Sequence, residues 1–279
     1  RGGNPVRRSR TAYFVLPFAP ALSHSRTFAL SPCRSACVRV AAGFTIRAMQ
    51  TSRLAARVAE VRERIERARE RAGRPDPVTL VAVTKTHPAD VVRAAIEAGV
   101  EDVGENRVPE LEDKVAAVGR GAVRWHLIGH LQRNKVRKAL PLFDLLHSVD
   151  SLRLAEAVSE EAVRAGTTAR VLVQVNSAGE ETKGGFAPEE ALDAVGRVCE
   201  LPGLRVEGLM TMAPFTDDEG VLRAAFGRTR RLWEEAARQV AGFSALHLSM
   251  GMSNDFEIAV EEGSTLVRVG TVLFGERDP

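Results

Sequence analysis

From Met49 onward the chain alternates two hydrophobic rhythms. Leu54, Val58, Val61, Ile65 and Ala68 recur at helical spacing among arginines and glutamates, predicting an amphipathic helix that starts at Thr51 or Ser52 and ends near Gly73 and Pro75. Beyond it, short β-rich apolar runs take turns with helical patterns. Eight such runs stand at 78–84, 101–106, 123–130, 143–149, 169–176, 205–212, 245–250 and 265–270, and amphipathic stretches such as 88–99, 109–119, 151–166 and 188–200 lie between them. Eight βα units in about 230 residues is the arithmetic of a (β/α)8 barrel. The predicted class is therefore α/β, a single (β/α)8 TIM-type barrel preceded by an N-terminal helix. A doubly wound open sheet shows the same alternation, but its G-x-G-x-x-G turn is missing after the first run, where VAVTKTHP stands. Polar and small residues fall at the C-terminal ends of several runs (Lys85, Asn106, His130, Asn176, Ser249, Gly270), as a barrel mouth requires.

Charge separates the two ends of the chain. Residues 1–48 hold eight arginines, no lysine and no acid, whereas 49–279 hold 31 basic and 36 acidic residues, so a formal net charge of +3 becomes −5 for the body. An acidic body argues against a nucleic-acid partner, because phosphate neutralisation supplies most of such affinity. The chain begins at Arg1, and Met49 stands just ahead of the helix start. Residues 1–48 are accordingly read as a basic arm, either upstream sequence or transit-like and without a fold of its own, and 49–279 as the barrel. No run of eighteen uncharged apolar residues occurs, which argues against a membrane span. Cys33, Cys37 and Cys199 are too few for a disulfide framework and lack metal-ligand spacing. A reduced cytoplasmic location is expected, or an organellar one if the arm is a genuine transit peptide.

Candidate chemistry gathers at two places. Lys85 closes the apolar strand VAVT directly before a helix that begins at Pro88, where an amine can be desolvated and made nucleophilic toward an aldehyde. A strand-end lysine that only snorkels is the bland alternative. At the other end, Ser249, Gly251 and Ser253 follow the seventh run, and Gly270 and Thr271 follow the eighth. Loops after strands seven and eight commonly bind phosphate in barrels, although these glycines can equally be turn residues. An amine facing a phosphate cradle suggests a phosphorylated aldehyde, with pyridoxal phosphate the obvious candidate. His126 and His130, read as lying on one strand, would stand about 13 Å apart and could not share a metal. Trp125 and Trp233 read as packing residues. The arginines 223, 228, 230 and 231 are followed at once by Glu234 and Glu235 and read as a solvated helix face.

The strings VAVTKTHP, GENRVPE, WHLIGHLQRNK, LVQVN with ETKGGF, GLMTMAP, HLSMGMSNDFEIAVEEGST and VRVGTVLFGER, spread over residues 80–277, resemble the pyridoxal phosphate homeostasis (YggS or PROSC) family, whose fold is similar to the barrel domain of alanine racemase. The resemblance implies Lys85 as a Schiff-base lysine. It implies that Ser249 and Thr271, with the amides around Met250, Gly251 and Gly270, hold the phosphate. Arg268, two residues before Gly270, would face the pyridine nitrogen, and Asn106 and His126 would line the ring's side. Arg107 and Pro109 depart from the aromatic residue and glutamine expected of many relatives, and His87 stands where a second lysine is frequent. Lys183 remains available as a second lysine.

Two functions compete. One is a non-enzymatic carrier or buffer in intracellular pyridoxal phosphate homeostasis, working as a monomer, with pyridoxal-phosphate-dependent apoenzymes as candidate partners and no nucleic acid or membrane involved. The other is a single-domain amino-acid racemase or related enzyme. A racemase of this barrel type needs an acid/base on the substrate face opposite the lysine, which alanine racemase takes from a tyrosine in a separate domain. The single tyrosine, Tyr13, lies in the arm, and nine residues follow Gly270, so the carrier is the expected reading.

Overall fold

The first apolar rhythm forms α1 (Arg34–Arg71), on which Leu54, Val58, Val61, Ile65 and Ala68 are all buried. The computed structural model describes residues 34–180 and 184–275. The helix begins ahead of the expected start at Thr51, because the sequence between Arg34 and Thr51 is rich in alanine and arginine and has no proline to stop it. Thr51 caps no terminus; its Oγ1 donates to Glu97 Oε2 at 3.2 Å. Of the arm, read as residues 1–48, residues 1–33 lie outside the described residues, as does Lys183. The chain divides into two compact units, 1–43 and 44–279, and the barrel belongs to the second.

Strands and helices then alternate: β1 (Thr79–Val83), α2 (Ala89–Glu97), β2 (Asp102–Glu105), α3 (Val108–Val118), β3 (Arg124–Leu127), a 3-10 turn (Arg133–Lys135) leading into the short α4 (Val136–Ala139), β4 (Leu145–Val149), α5 (Leu152–Arg164), β5 (Ala169–Gln174), α6 (Ala191–Cys199), β6 (Leu204–Met210), α7 (Glu219–Gln239), β7 (His247–Ser249), α8 (Phe256–Glu261), β8 (Leu266–Val269) and α9 (Thr271–Phe274). Every strand falls within a residue of its expected run. The ladders are parallel, and β1 pairs with β8 from Thr79–Leu266 to Ala82–Val269, which closes the barrel in the order β1 to β8. The expected (β/α)8 architecture is thus the observed one. β3 ends at Leu127, earlier than the run 123–130, so His126 and His130 do not share a strand; His130 stands in the loop beyond it.

Closure produces two apolar cores, because alternate residues of each strand face opposite ways. The outer core lies between sheet and helices and includes Trp125, Phe226, Phe256 and the buried face of α1. The inner core is small: Val81, Leu145, Leu172, Met210 and Leu266, with Met212 packed against it. Much of the remaining interior is polar. In β6, Val171 of β5 pairs with Val206 while Val173 pairs with Leu209, so one extra residue is accommodated. Gly208 sits in that bulge so near β7 that a Cβ would stand 1.7 Å from the His247 carbonyl oxygen, a separation only glycine tolerates.

Outside, two of the arginines of α7 are paired: Arg223 meets Glu219, Glu261 and Glu262, and Arg230 meets Glu234 and Glu262. Among the described residues no helix is long and apolar enough to cross a membrane.

Candidate functional site

The C-terminal ends of the strands enclose a cavity of about 550 Å3. Lys85 and His87 reach it from the turn after β1, Asn106 from the end of β2, His130 and Asp150 from the loops after β3 and β4, and Arg268, Gly270 and Thr271 from β8 and its exit. Ser253, Asn254 and Asp255 add the rim after β7. A larger recess, about 800 Å3, opens at the opposite end of the barrel. Three of its four arginines, Arg120, Arg164 and Arg170, are neutralised by Asp144, Glu161 and Glu207 respectively. The smaller cavity is therefore the candidate site, at the face where barrels of this class carry their chemistry.

The turn that presents Lys85 is built from its neighbours. Thr86 has a positive φ of 68°, uncommon for a β-branched residue. Its amide donates to Glu110 Oε2 at 2.8 Å, and the amide of His87 donates to the Thr84 carbonyl at 3.1 Å. Lys114 Nζ, buried between α3 and the sheet, donates to that same carbonyl and to Glu105 Oε1, both at 2.6 Å. Thr84 Oγ1 donates to the same carboxylate oxygen. The residue before Lys85 is thus held from two sides, and the strained residue after it is held by a carboxylate from α3. Burial pushes the Glu105 carboxyl up, against the pull of Lys114 and Thr84.

On the β8 side, Arg268 donates Nη1 to the Ser249 carbonyl (2.9 Å) and to Ser249 Oγ (2.6 Å), and Nη2 to the Thr211 carbonyl (2.9 Å). Three of its five N–H donors therefore point into the protein. Burial lowers its pKa to about 10, with Asp255 opposing, so the guanidinium keeps its charge at neutral pH. Ser253 Oγ accepts from the Gly270 amide at 3.3 Å, which leaves its own proton to offer elsewhere. A Cβ on Gly270 would stand 3.1 Å from the Val83 carbonyl oxygen, so the β8 exit passes tightly over β1. Gly251, at φ 92°, would collide at 2.6 Å with the Ala259 Cβ if it carried a side chain; it packs the β7 loop onto α8.

Of the nine residues expected at the site, Lys85, Asn106, Arg268, Gly270 and Thr271 line the cavity. Ser249, Met250 and Gly251 are buried behind its wall, and Ser249 Oγ is occupied by Arg268 and His147. His126 lies deeper in the barrel, between Asp102 and His147, and does not reach the cavity. His130, read as an ordinary histidine, lines the mouth with its Nδ1 2.6 Å from Asp150 Oδ2. Its signal in the sequence was proximity to a strand end. The strand's early stop, which turns His130 toward β4, was not visible there.

The family model described as the alanine racemase N-terminal domain matches residues 57–278. The pyridoxal phosphate homeostasis protein of Aquifex aeolicus is 42% identical to this chain over 222 residues, which cover 79% of this chain and 97% of that one. The pyridoxal phosphate homeostasis protein of Pseudomonas aeruginosa is 42% identical over 228 residues, covering 81% and 97%. The solved structure of PipY from Synechococcus elongatus with PLP bound is similar at a TM-score of 0.69 and 37% identity, covering 80% of this chain and all of that one.

Proposed function

The chain belongs to the pyridoxal phosphate homeostasis family, built on the alanine racemase N-terminal barrel, and from that premise we propose that residues 49–279 bind pyridoxal phosphate in the β-barrel mouth and hold it for delivery without turning it over. The observation that carries this reading is the convergence of one lysine, one buried guanidinium and a hydroxyl-bearing exit loop on a single cavity.

The donor set fits the cofactor: an amine for an aldehyde, hydroxyls and amides for a phosphate, and a fixed cation between them. When bound, the cofactor would supply an aldehyde, and Lys85 would hold it through its amine. Thr271 and Ser253 hydroxyls are assigned to the phosphate, with the Gly270 amide holding Ser253 in place. Ser249 is not assigned to it, because its hydroxyl is buried and already engaged. Arg268 is assigned to the ring nitrogen. A guanidinium with a pKa near 10 does not surrender its proton at neutral pH, so a nitrogen beside it stays unprotonated and the ring draws electrons weakly. That weakness favours a carrier over an enzyme. Recipients would be pyridoxal-phosphate-dependent apoenzymes. A monomer is the reading we hold; among the described residues the exposed large apolar side chains are few, Val163, Phe215, Val221 and Leu246, and belong to different segments.

The test is a titration of the protein with pyridoxal phosphate and, separately, with unphosphorylated pyridoxal. Thr271→Ala is expected to weaken the first by about tenfold, within the roughly 1–3 kcal/mol of a hydrogen bond to a charged group, and to leave the second unchanged. Equal losses for both ligands would remove Thr271 from the phosphate.

A second reading, an amino-acid-processing enzyme, is favoured by one feature, the His130–Asp150 pair on the same cavity as Lys85. Incubating cofactor-loaded protein with amino acids in deuterium oxide separates the two. The carrier reading expects negligible α-proton exchange; sustained exchange at around one turnover per second, abolished by His130→Ala, would establish the enzyme.

A further inference from the structure

The interior polar residues beneath the cavity form one connected line. Arg268 Nη1 donates to Ser249 Oγ at 2.6 Å, Ser249 Oγ lies 3.0 Å from His147 Nδ1, His147 Nε2 lies 2.9 Å from His126 Nδ1, and His126 Nε2 lies 2.9 Å from Asp102 Oδ1. Beyond it, Arg124 donates Nε and Nη2 to the two Asp102 oxygens at 2.7 and 2.6 Å. The line crosses the hollow of the barrel from β2 and β3, through β4, to β7 and β8. Arg124 is the exposed end; the other five members are at most 5% exposed.

We propose that Asp102, His126, His147 and Ser249 form a one-way hydrogen-bond chain that fixes the Arg268 guanidinium and thereby positions it toward the cavity. What Arg268 faces there rests on the cofactor reading above; the direction of the chain does not. Its two ends dictate that direction. A guanidinium can only donate, and an ionised carboxylate can only accept. Asp102 is ionised: burial alone would raise its pKa, but hydrogen bonds from His126 and Arg124 and the charge of Arg124 bring it down to about 2. His126 must therefore carry a proton on Nε2, and as the single-proton tautomer it offers Nδ1 as an acceptor. His147, kept neutral by burial and by the neighbouring charge of Arg268, must then donate from Nε2 and accept at Nδ1. Ser249 fills that acceptor with its hydroxyl proton and receives Arg268 on its oxygen.

In this arrangement every ring nitrogen and both sides of the serine oxygen are used, and none of these atoms is left without a partner. The reversed chain would need protons on both nitrogens of His126, since a bare Nε2 cannot face the Asp102 carboxylate. A neutral chain of fixed polarity holds the guanidinium at one angle before any ligand arrives, which is the form of preorganisation that costs least at the moment of binding. It also explains why the Ser249 hydroxyl has nothing left to give a phosphate.

The direction is read from the long-range 15N–1H histidine spectrum of the uniformly labelled wild-type protein without cofactor. Both His126 and His147 are expected as Nε2–H tautomers with acceptor-type Nδ1 shifts; an Nδ1–H on either ring, or a doubly protonated His126 at neutral pH, would overturn the chain. The positioning role is read from His147→Phe, which keeps the ring and removes both nitrogens. Exchange of the Arg268 Nη protons is expected to quicken about tenfold, and pyridoxal phosphate affinity to fall by a similar factor, as for side chains coupled in one network. Unchanged Arg268 exchange in a folded variant would overturn that role. The outcomes also separate the two readings: expected tautomers and exchange in a protein that takes up no pyridoxal phosphate defeat the cofactor reading alone, whereas cofactor bound at Lys85 beside reversed tautomers defeats the chain alone.

Discussion

Replacing Lys85 by alanine is expected to abolish retention of pyridoxal phosphate through dialysis and to weaken its binding at least about a hundredfold, roughly 2.7 kcal/mol. Alanine has no amine to form the covalent link, while Thr271, Ser253 and Arg268 keep their places and still attract the anionic group. Absorbance of the mixed protein and cofactor should match that of free pyridoxal phosphate. A visible band as strong in the variant as in the wild type would mean that another amine makes the link. Folding should be largely kept, because the turn is held by the backbone and side chains of Thr84, Thr86, Glu110 and Lys114.

Lys114→Met is expected to lower stability by about 3–5 kcal/mol near neutral pH, because it leaves the Glu105 carboxylate buried without its counter-charge. The loss should depend on pH in a definite sense. Glu105 already has a raised folded-state pKa, with burial the largest cause and Lys114 the main opposing group. A carboxyl raised on folding lets the folded state hold a proton that the unfolded chain has released, so stability falls as pH rises from the unfolded value through the folded one. Without Lys114 the folded value climbs further and that window widens upward. Urea unfolding of the variant and the wild type at about pH 7 and about pH 5 should show the gap narrowing in acid. A gap of equal size at both pH values would indicate lost packing of the lysine stem instead.

How much of this was legible beforehand follows from what each feature depends on. The barrel was legible because each strand is a local apolar run and eight of them recur with helices between. Lys85 was legible for the same local reason, as a lysine two residues past the end of β1. Arg268 and Gly270 were legible as a pair, two residues apart at the end of β8. The link from His147 to Ser249 was not, because it joins residues 102 positions apart across a closed interior, and only the register of four strands brings them together. One trace was present: His147 and His126 are polar residues set beside apolar neighbours in short strands, and such residues need partners when buried. The start of α1 was misread for the opposite reason, since a capping-type threonine is a start signal only when the preceding residues resist a helix.

The covalent assignment at the centre of this account is tested most directly by borohydride reduction of the wild-type protein loaded with pyridoxal phosphate, followed by protease digestion and mass spectrometry to find which lysine carries the reduced adduct. The account predicts one adduct, on the peptide containing Lys85, at close to one per chain. An adduct on Lys183 or on any other lysine, with Lys85 unmodified, would contradict it.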